Sequence, residues 1–234
     1  MGYKKSRARI EFEEGTKSLK STARQVSFKS SMLTYEQKLL IYQSVVFLMS
    51  AKIETYNESL IKDIIFNYKS KKAKISELPD NIITKTIIDR QITHYRNFIN
   101  NSDEKNLLEK ISHRNSYYRQ ISQDEEIANI INANGIIATN KYPSIRNMKI
   151  LYFRIGITDI LKAIHIKGKK DYTTQLESFL SVRESIAHQE VGSLTYLDVE
   201  RHLNNLLSII RDIDRVVYSH IARLSGEKYW QNYS

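Results

Sequence analysis

From Val199 to Leu224 the chain repeats apolar residues at alternating steps of four and three. Val199, Leu203, Leu206, Ile210, Ile213 and Val217 are followed by His220 and then Leu224. A strand requires a period of two, so this pattern commits about seven turns to one helix with a buried face. A second stripe runs through Leu39, Tyr42, Val46, Met49, Ile53, Tyr56, Leu60 and Ile64, and the capping box T-x-x-Q at Thr34 and Gln37 precedes it. Only two prolines and seven glycines occur in 234 residues, so little interrupts such elements and a turn-rich β-sandwich is excluded. The chain reads as all-α, a helical bundle with long antiparallel helices.

Shorter elements fill the interval. Pro79 and Asp80 open a helix to about Asn100, and Glu104 to about Ile111 forms another. Ser144 caps a helix through Phe153, Gly156 stops it, and Asp159 restarts the chain into Ile164. A further helix begins near Asp171, carries Leu176, Phe179 and Leu180, and ends at Gly192. Residues 112–143 read as short helices and loops.

The formal net charge is +10, which favours polyanionic partners. Residues 1–31 hold eight basic side chains against Glu11, Glu13 and Glu14, and read as a basic N-terminal arm, either a solvated flexible tail or a nucleic-acid contact. Residues 32–234 then form a single all-α domain. The absence of cysteine excludes disulfides and thiolate metal sites. No apolar run is long enough for a membrane span, so the expectation is a cytoplasmic protein without a membrane partner. Metal-binding spacings and a Gly-rich phosphate loop are also lacking, and no cofactor is expected.

Two residue types in the region before Gly192 carry chemistry. Arg183 falls three and four residues after Leu180 and Phe179, on an apolar stripe. An arginine there is costly unless it is paired, or faces a cleft, or its stem packs while its head reaches water. Its forked permanent charge suits a phosphate. His188 follows five residues later and is the side chain suited to proton transfer near neutral pH. On a strict helix five residues turn the second side chain about 140° from the first. The two converge only if the helix frays or bulges near Ala187, or if a second subunit supplies its own copy. His113 to Arg119 mixes base-stacking and phosphate-binding types, with Arg114 and Arg119 as RNA-binding candidates, although an exposed loop reads equally well. Lys167, Lys169 and Lys170 form a basic turn that either guides RNA or is simply solvated. His202 and His220 lie about 27 Å apart on one helix and read as structural.

The run LESFLSVRESIAHQE, with Arg183 and His188 at its end, resembles the R-x4–6-H motif of the HEPN superfamily. NMKILYFRIGI and AKIETYNESLIKDI resemble segments of the RiboL-PSP type in the same superfamily. The resemblance implies a helical bundle that dimerises, brings two motifs into one cleft and cuts RNA without a metal. It makes Arg183 and His188 the catalytic pair and Glu54, or the equally spaced Glu58, an acidic residue facing the site. It also implies service in bacterial antiviral defence or a toxin–antitoxin pair, with an antitoxin or defence-system partner. One departure is Glu184, where Asn, Asp or His is common. Glu184 either orients Arg183 or His188, or repels the substrate phosphate. Two readings stay open: an active endoribonuclease, or a non-catalytic HEPN module that binds RNA or assembles a larger defence complex.

Overall fold

The computed structural model describes residues 2–112, 131–138, 142–188 and 193–230. Every element among them is helical: α1 (Arg7–Ser27), α2 (Tyr35–Ser70), α3 (Asp80–Asn101), α4 (Glu104–Ser112), α5 (Ala133–Ile137), α6 (Ile145–Phe153), α7 (Ile160–Gly168), α8 (Tyr172–Ala187) and α9 (Tyr196–Leu224), with short 3-10 turns at Ile75–Glu77 and Glu227–Trp230. Local chemistry sets several of the starts. The Thr34 hydroxyl accepts from Gln37 N while Gln37 returns a bond to Thr34 N. Thr195 and Asp198 do the same for α9. Ser144 and Asp159 cap α6 and α7 as the sequence suggests. None of the described helices is long and apolar enough to cross a membrane.

Cross-helix pairs give the directions. Tyr56 reaches Asp214 and Tyr68 bonds Ser225, so α2 and α9, the two longest described helices, run the same way. Between them α1 runs in the opposite sense, with Ser6 at Asp214 and Lys20 at Glu200. Helix α8 also opposes α9, since Tyr172 meets Asp212 and Phe179 meets His202. The antiparallel packing expected from sequence therefore holds around α1 and α8, whereas the two long stripes are parallel neighbours.

The basic segment 1–31 is a correction to the sequence reading. It forms α1, which buries Ala8, Phe12, Thr16, Leu19, Ala23 and Val26 against α2 and α9. Its positive charges meet carboxylates: Arg7 with Asp63, Lys5 and Arg9 with Glu13, Lys20 with Glu200. The stripe on α9 departs in its last turn, where Ile221 is buried and Leu224 is exposed. A strict 3.5-residue repeat drifts around a straight helix, so the buried position moves on by one residue.

Asp214 joins these helices. It is fully buried and accepts from the Tyr3 hydroxyl at 2.6 Å, from Ser6 N at 3.2 Å and from the Ser6 hydroxyl. Trp230 adds a bond to Lys4 O at 2.8 Å, so the chain before α1 is tied at both faces. Burial lifts the Asp214 carboxyl above its ordinary 3.8, against the pull of the Ser6 and Tyr3 hydrogen bonds. An acid with a raised folded value holds its proton more tightly in the fold. Its contribution to stability therefore falls as pH rises from 3.8 through the folded value.

Replacing Asp214 with Ala strands four donors, Ser6 N and the hydroxyls of Tyr3, Ser6 and Tyr56, and unfolding free energy measured by denaturant should fall by about 3 kcal/mol. Asp214→Asn should cost less, and the margin of wild type over this variant should grow on lowering the pH toward 4.

Candidate active site

Helix α8 starts under an Asp171 cap, which accepts from Thr174 N at 3.1 Å and from its hydroxyl at 2.7 Å. Its core stripe runs Tyr172, Leu176, Phe179 and Ile186, and Arg183 occupies the slot between the last two. Arg183 is half-buried there. Its guanidinium carbon lies 5.5 Å from the centre of the Phe47 ring on α2 and 5.2 Å from that of Tyr142. Its Nε is covered and has no hydrogen-bond partner among the described residues.

Two aromatic faces hold the cation without neutralising it. Such contacts are worth about 0.5–2 kcal/mol each, whereas a buried donor left unpaired costs about 1–3 kcal/mol. Arg183 is therefore not a cheap packing choice. Its cation pairs with no carboxylate among the described residues, so a phosphate could supply the counter-charge.

His188 ends the helix. Its N–H still bonds Glu184 O at 3.0 Å, so the helix neither frays nor bulges before it. The divergence of about 140° between the two motif side chains thus holds within one chain. Arg183 turns toward Phe47 and Tyr142, while His188 is exposed. Glu184 is exposed one turn before His188 and about 40° from it around the axis, so it shares the face of His188.

The acidic candidates on α2 do not close on the arginine. Glu54 is half-buried two turns beyond Phe47, about 10 Å along the helix, and no ion pair joins it to Arg183 among the described residues. Glu58 pairs with Lys62 at 2.6 Å. Lys167, Lys169 and Lys170 are exposed at the opposite end of α8, roughly 17 Å from Arg183 along its axis. Arg114 and Arg119 lie outside the described residues. His202 is buried with its ring 6.0 Å from Phe179, and burial lowers its basicity. Burial likewise lowers His220, whose Nε2 bonds Ile155 O at 3.1 Å.

Sequence reasoning missed Phe47 and Tyr142. Phe47 sits directly after Val46, one position off the buried stripe of α2, and an aromatic on the outer side of an amphipathic helix is the signal that marks it. Tyr142 had no such periodic frame.

If Arg183 is poised for a ligand rather than for packing, Arg183→Met should unfold at the same temperature as wild type or higher, because the thioether fills the slot without an orphaned donor. A drop of more than about 4 °C in a thermal melt would make Arg183 a structural residue.

The sequence model of the RiboL-PSP-HEPN family matches residues 13–219, from within α1 to near the end of α9. No curated protein and no solved structure matches the chain. The match covers most of the chain, including the greater part of α1 and the whole of the Arg183–His188 segment: the chain belongs to the RiboL-PSP branch of the HEPN superfamily.

Proposed function

We propose that this chain is a metal-independent endoribonuclease that cuts RNA by transesterification through its own 2′-OH. The observation that carries the reading is Arg183, a half-buried cation held between Phe47 and Tyr142 whose Nε has no partner among the described residues. In the reaction the 2′-oxygen attacks the adjacent phosphorus and the 5′-oxygen leaves. Arg183 stabilises the charge gathering on the non-bridging oxygens. A histidine accepts the 2′-OH proton and another gives a proton to the 5′-oxygen. One chain offers a single His188, directed away from its own Arg183. The complementary role falls to His188 of a second copy, so the working unit is a homodimer with a composite site. Glu184, one turn from His188, serves to orient it. The products are a 2′,3′-cyclic phosphate and a 5′-hydroxyl, and DNA, lacking the 2′-OH, resists cleavage. The biological setting we assign is bacterial antiviral defence or a toxin–antitoxin pair, with a partner that restrains the nuclease.

Glu184 favours a second reading. An exposed carboxylate beside His188 opposes an incoming phosphate, which suits a non-catalytic module that binds RNA or assembles a defence complex.

Cleavage of labelled tRNA and total RNA in EDTA separates the two. Under the nuclease reading wild type leaves cyclic phosphate ends, and His188→Ala and Arg183→Ala are slower by about 10²–10⁴-fold. The rate of wild type is bell-shaped in pH, as two histidines in opposite protonation states require. RNA bound equally by all three proteins, with none of them cutting, would establish the binding module instead.

A further inference from the structure

Helix α7 and the second half of α9 pack antiparallel. Gly168, at the end of α7, lies where a side chain would collide with Asp212. Gly156, just before α7, lies where a Cβ would come within 2.8 Å of His220 Nε2. Between these close approaches the helices separate into a cleft of about 630 Å³. Ala163 and Val216 contribute its apolar lining, and Lys162, Lys167 and Arg223 stand around it. Lys169 and Lys170 continue the positive charge past the end of α7.

These cations differ from those on α1. There Arg7, Arg9 and Lys20 find carboxylates. Here Lys162, Lys167 and Arg223 form no ion pair among the described residues, and the acids at the seam are already engaged. Asp159 pairs with Lys149 at 3.1 Å and caps Lys162 N. Asp212 takes both arms of Arg211, at 2.9 and 3.0 Å, and the Tyr172 hydroxyl. His220 is held at the Ile155 carbonyl, and burial followed by Arg223 pushes its imidazole toward the neutral form, so the attraction for an anion comes from the lysines and the arginine. The seam is thus a groove with a net positive rim and an apolar floor, a combination that suits a phosphodiester chain.

We propose that the α7–α9 seam is a second RNA-binding element, a track for backbone phosphates separate from the Arg183–His188 site. The proposal rests on the ribonuclease reading for its ligand. The near end of the track lies roughly 17 Å from Arg183 along α8, and α7 adds about 13 Å more. A strand that engages both ends spans on the order of 30 Å, about nine stacked nucleotides at roughly 3.4 Å each. A dinucleotide reaches only the motif. The track therefore selects long or folded RNA, and it acts on binding rather than on the chemical step.

The test compares two forms of the full chain in a His188→Ala background, which prevents cleavage: one otherwise wild type, one carrying Lys162→Gln, Lys167→Gln and Arg223→Gln. The probe is a labelled 30-nucleotide RNA titrated at several salt concentrations. All three side chains are exposed, so equal melting temperatures are expected. Losing three phosphate contacts should weaken binding at least tenfold at low salt and make the log–log salt slope shallower by about 2. Arg223→Lys alone, which keeps the charge, should retain affinity. With His188 restored, the triple variant should raise KM for the 30-mer and leave kcat and dinucleotide cleavage unchanged. RNA binding with unchanged affinity and slope in the triple variant overturns the track and leaves the ribonuclease reading standing. No RNA binding by either form overturns both. Binding to phosphatidylserine vesicles but not RNA, abolished in the triple variant, reassigns the seam to a lipid surface.

Discussion

The bundle depends on one buried carboxylate. Asp214 lies at the level where α1, α2 and α9 meet, and the donors that satisfy it come from Tyr3 and Ser6, almost the whole chain away in sequence. A buried charge without partners is among the costlier defects a fold can carry. The N-terminal residues are therefore obliged to dock, and once Ser6 is fixed it caps α1 through Arg9 N at 3.0 Å. Tyr56 and Tyr152 are buried close by, and burial with the nearby Asp214 charge keeps both phenols protonated. Tyr152 then donates to Asn57 at 2.8 Å and ties α6 to α2.

Helix α8 packs against both α9 and α2. Tyr172 and Arg211 converge on Asp212 and fix its first turn. Its buried stripe lays Phe179 against His202 and brings Arg183 beside Phe47. The regular hydrogen bonding of the last turn holds His188 outward. The separation of an inward cation and an outward imidazole thus follows from an undistorted helix, and it is the physical ground for assigning the second half of the site to another copy.

Much of this was legible residue by residue. Thr34, Ser144, Asp159 and Thr195 announce helix starts because their side chains satisfy N–H groups that the helix cannot. The stripe from Val199 to Val217 announces a buried face because one side of a helix must leave water. The basic helix α1 was misread for an equally physical reason. Its buried positions recur at helical spacing, but Ala8, Thr16 and Ala23 are small or polar, and the surrounding charges dominate any local count. Their value lies in letting α1 approach α2 and α9 closely, which depends on the neighbours. Glu54 shows the converse: its helical position is regular, yet nothing in its own sequence places it relative to Arg183.

The sequence by itself determined the helical class and most helix boundaries, and it singled out Arg183 and His188 as candidates for the site. These follow from hydrogen-bond satisfaction and periodicity within single turns. Only the tertiary structure decided that α2 and α9 run parallel, that the basic N-terminal segment is core, that Phe47 and Tyr142 flank Arg183, and that Lys162 and Arg223 share a groove. Each of those is a meeting of residues far apart in the chain, and such meetings are settled by which faces can be buried together and by where a buried charge finds its donors.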